Sequence, residues 1–259
     1  MKKFLLTAAL VAGALSASAA DAYIGGIYYS LDATDNTACI QSIFGASPST
    51  PLTGDVVVPP TVEYGGNTYT VVGVLEGAFD GRDHTGLKSV TLPNTLEYLD
   101  DGSFQYSPFT EMVIPDNVSV VGNNCFTGSS KLAKITFGTG VTKIGRSAFT
   151  DCWALTSVTC LAATPPSITP ITFNSTLKSQ ITLTVPFGKA DVYRNAANWS
   201  GFKEYVEQAQ GPGVGIESIA IGEHGAVRYF NMQGIEVVAP EKGQILIRVA
   251  GDGSKVVKF

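Results

Sequence analysis

The chain has 259 residues, 44% of them hydrophobic and 15% charged, against about 25% charged in an average soluble domain. Its 28 glycines and 13 prolines break the backbone often, and Val and Thr number 25 each. That balance of turn formers and β-branched residues argues against a helical bundle, a coiled coil or a disordered chain. The net charge of −5 becomes −7 without Lys2 and Lys3, and no Lys/Arg run is present, which excludes a nucleic-acid footprint and disfavours an anionic membrane surface.

Residues 1–19 read as an export signal, which the mature chain would lack from about Ala20 or Asp21. Lys2 and Lys3 form a positive start, Phe4–Leu15 an apolar core, and Ala17-Ser18-Ala19 an A-x-A cleavage site. The apolar run is too short for a comfortable bilayer span, and no later run approaches that length, so no transmembrane segment is expected in the mature chain. The protein is expected to be exported, either secreted or held at the outer cell surface.

The middle of the chain repeats. Segments starting at Leu87, Phe109, Leu132 and Leu155 align at intervals of 22, 23 and 23 residues, and a partial unit, VVGVLEGAF, precedes them at Val71–Phe79. Val90, Met112, Ile135 and Val158 share one register position, and Leu92, Ile114, Phe137 and Cys160 the next. Two more ladders follow: Val71, Leu96, Val118, Val141, and Val74, Leu99, Val121, Ile144. Phe79, Phe104, Phe126 and Phe149 close each unit. One unit of this length cannot bury its own apolar side, whereas stacked units bury it against each other. Alternation in V-T-L, V-I-P and I-T-F predicts a short strand per unit, ended by Pro93, Pro115 or the Gly138/Gly140 pair. The Phe ladder is expected to fill the solenoid core.

The pattern L-x-x-V-x-x-P-x-x-V-x-x-I-G-x-x-A-F-x-x-C, best kept in Leu132–Cys152, resembles the BspA-like leucine-rich repeats of secreted and surface proteins of Bacteroidetes and some mucosal protozoa. The resemblance implies a mainly β, right-handed solenoid with a β-rich entry segment at residues 20–70 and repeats over 71–209. Within that span Leu183–Glu207 is similar to the family's closing unit, a strand and short helix in which Val192, Tyr193 and Trp199 cover the last coil. The Leu87 unit departs from the pattern, with Leu99-Asp100 in place of I-G, and the Leu155 unit degenerates into Ala162–Pro170.

QGPGVG at 210–215 reads as a linker. Beyond it, residues 216–259 alternate in short runs separated by glycines, which predicts a small antiparallel β domain, sandwich-like in the resemblance. Tyr229–Gly234, Glu241–Val249 and Lys255–Lys258 resemble the outline of type IX secretion sorting domains, although Ile235 stands where Arg is usual. A plain accessory β domain is the alternative.

No catalytic constellation is expected. His84 and His224 fall in different domains, and no nucleophile elbow, H-E-x-x-H, phosphate-binding or dinucleotide motif is present. No metal and no cofactor are expected; Asp32–Asp35 and Asp100-Asp101 lack calcium-loop spacing and read as solvated turn carboxylates. Cys39, Cys125, Cys152 and Cys160 lack C-x-x-C spacing, and the last three fall on core positions, favouring buried thiols over a bridge. The candidate binding face is the outward row of the strands: Ser89, Thr91, Glu111, Val113, Lys134, Thr136, Ser157 and Thr159. The family resemblance implies adhesion to a protein or glycan of a host or bacterial surface, by a monomer; the alternative is an envelope protein whose repeats are a rigid spacer.

Overall fold

The computed structural model describes residues 19–43, 50–209, 228–230, 245–250 and 253–258. The predicted signal segment, apart from Ala19, and the predicted linker lie outside them. The chain forms two compact units, Met1–Glu207 and Gln208–Phe259.

The first unit opens on an antiparallel meander, β1 (Ala19–Ile24), β2 (Ile27–Asp32) and β3 (Thr37–Ile40), whose first turn is the Gly25-Gly26 pair. After β4 (Thr53–Val57), strands β5 (Thr61–Tyr64) and β6 (Asn67–Val74) form a hairpin, and β6 lies parallel to β3. The entry segment thereby supplies the first rungs on which the repeats stack.

Each following unit contributes one longer and one shorter strand. The longer ones are β7 (Gly86–Thr91), β9 (Glu111–Ile114), β11 (Lys134–Phe137) and β13 (Ser157–Cys160), and the shorter ones β8 (Tyr98–Leu99), β10 (Val120–Val121) and β12 (Lys143–Ile144). Strands β6, β8, β10 and β12 run parallel along one side of the coil. On the other side β9, β11 and β13 continue into β14 (Thr182–Val185) and β15 (Glu204–Glu207), five parallel strands in order. Strand β7 pairs with β4 instead.

The expected ladders form the core. Leu132, Ile135, Phe137, Val141, Ile144 and Phe149 are all at most 1% exposed, as are most equivalents in the other coils. Phe79, Phe104, Phe126 and Phe149 stack with centroids 5.1, 5.5 and 5.6 Å apart. Phe173 extends the spine by one rung, 4.6 Å from Phe149. The spine is also a hydrogen-bond ladder: Phe104 N–H donates to Cys125 O, and Phe126 N–H to Ala148 O. The coils approach so closely at Gly122 and Gly145 that a Cβ would lie 2.4–2.5 Å from the backbone of the preceding coil. That contact explains the I-G pair, and Leu99-Asp100 escapes it by opening the stack of glycines.

After β14 the chain folds back over the last coil, with one difference from the expected residues. Tyr193 on α2 (Ala190–Asn195) is buried and donates to Ala162 O at 2.7 Å, while Trp199 Nε1 donates to Pro166 O at 2.7 Å. Val192, expected to help cover the last coil, is 45% exposed, because the helix turns Tyr193 inward and its neighbour outward. The degenerate stretch after β13 still keeps the coil, since Ser167 N–H donates to Thr142 O and Ile144 N–H to Ser167 O.

In the second unit β16 (Arg228–Phe230), β17 (Ile245–Ala250) and β18 (Gly253–Lys258) form a three-stranded antiparallel sheet in that order.

Candidate functional site

The pleat of the five-stranded sheet sends alternate residues inward and outward, and parallel pairing brings equivalent residues side by side. Met112, Ile135, Val158 and Leu183 point in. Outward, one row reads Glu111, Lys134, Ser157, Thr182, Glu204, and the next reads Val113, Thr136, Thr159, Thr184, Val206. Six of the eight predicted face residues therefore lie together. Thr182, Thr184, Glu204 and Val206 complete the rows and were missed by the sequence reading. Their signal was present, as T-L-T and E-Y-V-E alternate like the earlier strands.

Ser89 and Thr91 do not join that sheet. They sit on β7 beside Asp55 and Val57 of β4, and Ser89 Oγ donates to the Asp55 carboxylate at 2.6 Å. Among the described residues no backbone hydrogen bond joins β7 to β9. Their Cα atoms are mostly more than 8 Å apart, against about 4.8 Å for paired strands. A groove of about 250 Å³ lies between them, lined by Val90, Thr91, Leu92, Glu111, Met112 and Val113, with Asn94 and Pro115 at its end. Leu92, expected in the core, is only partly buried where it borders this groove.

The rest of the face is mildly polar. Lys134 Nζ pairs with Glu111 at 2.8 Å, and both side chains are more than 60% exposed, so the pair is screened and weak. Val113 is 64% exposed and stands at the groove, while Val206 at the far end is 37% exposed.

The titratable groups elsewhere are held in structural roles. His84 is fully buried; its Nδ1 accepts from Leu52 N–H at 3.0 Å and its Nε2 donates to Ala78 O at 3.1 Å. Burial lowers its pKa, and the Ala78 bond and nearby Asp83 and Asp80 only partly offset that. The four cysteines are free thiols. Burial pushes Cys125 and Cys152 up to about 12, and Cys160 upward as well, its sulfur lying 3.1 Å from Tyr193 Oη. Such thiols are poor nucleophiles. Asp32 accepts from Thr34 N–H, and Asp101 from Asn123 N–H, as turn carboxylates do. Among the described residues no group of three or more His, Cys, Asp or Glu side chains is placed to hold a metal ion, and no helix is long and apolar enough to cross a membrane.

Comparison with known proteins agrees with this architecture. Residues 69–183 match, in 6 copies, the family described as BspA type Leucine rich repeat region. No curated protein matches the chain. Among solved structures, a leucine rich cell surface protein from Faecalibacterium prausnitzii is 15% identical with a TM-score of 0.39, over 93% of this chain and 61% of its own. The chain thus spans about three fifths of that protein's length. The T. pallidum leucine rich repeat protein is 20% identical with a TM-score of 0.42, over 69% of this chain and 78% of its own. The pneumococcal vaccine antigen PcpA is 15% identical with a TM-score of 0.41, over 73% of this chain and 50% of its own. Residues 69–183, where that family model matches, lie in a β-solenoid of about six turns.

Proposed function

We propose that the protein is exported and binds a macromolecule of a host or bacterial surface, non-catalytically, through the strand face of its solenoid. The observation that carries this reading is the double outward row from Glu111 and Val113 to Glu204 and Val206. It is backed by a buried core, and its middle rungs, Ser157, Thr159, Thr182 and Thr184, carry short side chains, so little rotamer entropy is lost when a partner covers them. The titratable groups that would serve catalysis are instead spent on the fold: His84 bonds through both nitrogens, and Cys125, Cys152 and Cys160 are buried.

The finer parts of the reading belong to the same proposal. Residues 1–19 direct export, and residues 216–259 form a β domain that sorts the protein to the cell surface. The direct test places glutamates at Thr136, Thr159 and Thr184 together, and measures saturable binding of the purified chain to cells, matrix proteins and mucin. Desolvating three new like charges weakens binding by at least about tenfold if the face is the site. Undiminished binding moves the site elsewhere, and absence of binding by the unaltered chain favours the spacer role.

A further inference from the structure

The strand face is interrupted once, and the interruption has a defined chemistry. The carbonyls of Thr110 and Ile114 accept from Lys134 and Gly138 of the next coil. By strand alternation Met112 turns its backbone groups the same way, and Glu111 and Val113 turn theirs toward β7. Across the gap Thr91 O accepts from Val58 N–H, so Thr91 faces β4, while Val90 and Leu92 face β9. Two sheet edges therefore confront one another, and among the described residues no backbone hydrogen bond claims their facing amide and carbonyl groups.

We propose that this gap is a docking slot for an extended polypeptide strand of a partner protein. One further strand between β7 and β9 needs two strand spacings, about 9.6 Å, and most Cα atoms of the two walls stand more than 8 Å apart. Only a peptide backbone offers alternating donors and acceptors to both walls at once, which is the chemistry of strand addition. Side chains follow from the lining. An inward residue meets Val90, Leu92 and Met112, and is aliphatic. Outward residues meet Thr91, Val113 and Glu111, and are polar or basic rather than acidic.

The sequence keeps the slot open. Gly138 N–H donates to Ile114 O, and Leu161 N–H to Phe137 O, but the equivalent residue of β9's coil is Pro115, which has no N–H to give to Leu92. The connection from Phe104 to Phe109 is also one residue shorter than those from Phe126 to Leu132 and from Phe149 to Leu155. On either side the walls are fixed, β7 by β4 and β9 by β11.

The slot deepens the reading of the strand face as a partner site and rests on it. The test uses the purified full chain and synthetic, end-blocked peptides of roughly seven residues that alternate Val or Ile with Thr or Lys, followed by fluorescence anisotropy. Saturable binding is expected, weakened about tenfold or more when alternate peptide amides are N-methylated, because side chains stay while backbone donors go. Val113→Pro, which deletes a donor facing the slot, is expected to weaken binding about tenfold more than Val113→Ala, which trims the side chain but keeps the N–H. N-methylation without effect, or no saturable binding by any of these peptides, overturns the slot. If the chain still binds cells or mucin in that case, and the Thr136, Thr159 and Thr184 substitutions abolish it, the face reading survives and the slot alone fails.

Discussion

His84 sits at the junction of the entry segment and the first complete repeat, with one nitrogen accepting from Leu52 and the other donating to Ala78. Nδ1 must stay unprotonated to accept, so the neutral ring is the one that fits, and burial lowers the pKa accordingly. The unfolded chain binds a proton more readily than the folded one, so stability rises with pH through this window. It is complete above about pH 6.5, the unfolded value, and declines as pH falls from there toward the folded pKa. Urea midpoints measured at pH 8, 6.5 and 5 are expected to fall across the acid half of that range. The fall should be smaller in His84→Gln, which is itself less stable by about 1–3 kcal/mol for each partner left unpaired. Glu207 titrates separately, because two N–H bonds at the start of α2 lower its pKa below the usual carboxylate value. In the sequence His84 stands without a visible partner. Its bond to Leu52 spans 32 residues, and nothing in local spacing encodes such a contact.

At the scale of elements, the ladders were legible because a solenoid projects its three-dimensional stack onto sequence period. Leu132, Ile135, Phe137, Val141, Ile144 and Phe149 fall in register and are buried in register. Phe173 was not recognised, although it stacks on Phe149, because Pro165-Pro166 and the loss of strand alternation disguise its coil. The β7–β9 break was equally hidden, since alternation states which face a residue takes but not which strand lies beside it. Phe126, between two stacked rings and 1% exposed, should cost about 3–5 kcal/mol when replaced by Ala, as a mid-core ring does. Trp199→Ala removes a comparably buried side chain, but at the capped end of the stack. Nearest-neighbour coupling then predicts local fraying rather than global loss. Hydrogen exchange should show β15 and then β14 losing protection first in Trp199→Ala, and all coils together in Phe126→Ala. Uniform loss in both variants would contradict that coupling.

For the whole molecule, the repeat unit is closed at both ends by its own chain: the β1–β3 meander and β5–β6 hairpin at one, and Tyr193, Trp199 and Phe202 at the other. Capping removes the need for anything beyond Glu207 to shield the apolar stack, and the chain divides into two compact units at that point. Removal of residues 216–259 should therefore leave the unfolding midpoint of the first unit unchanged within about 0.5 kcal/mol, the scale of changes away from buried contacts. Cell fractionation separates the two readings of that tail. If residues 216–259 sort the protein, the truncated form accumulates inside the outer envelope while retaining native circular dichroism and full binding to its partner once purified. If delivery to the surface is undisturbed by the truncation, the tail is an accessory β domain, and the address resides in the first unit or in residues 1–19.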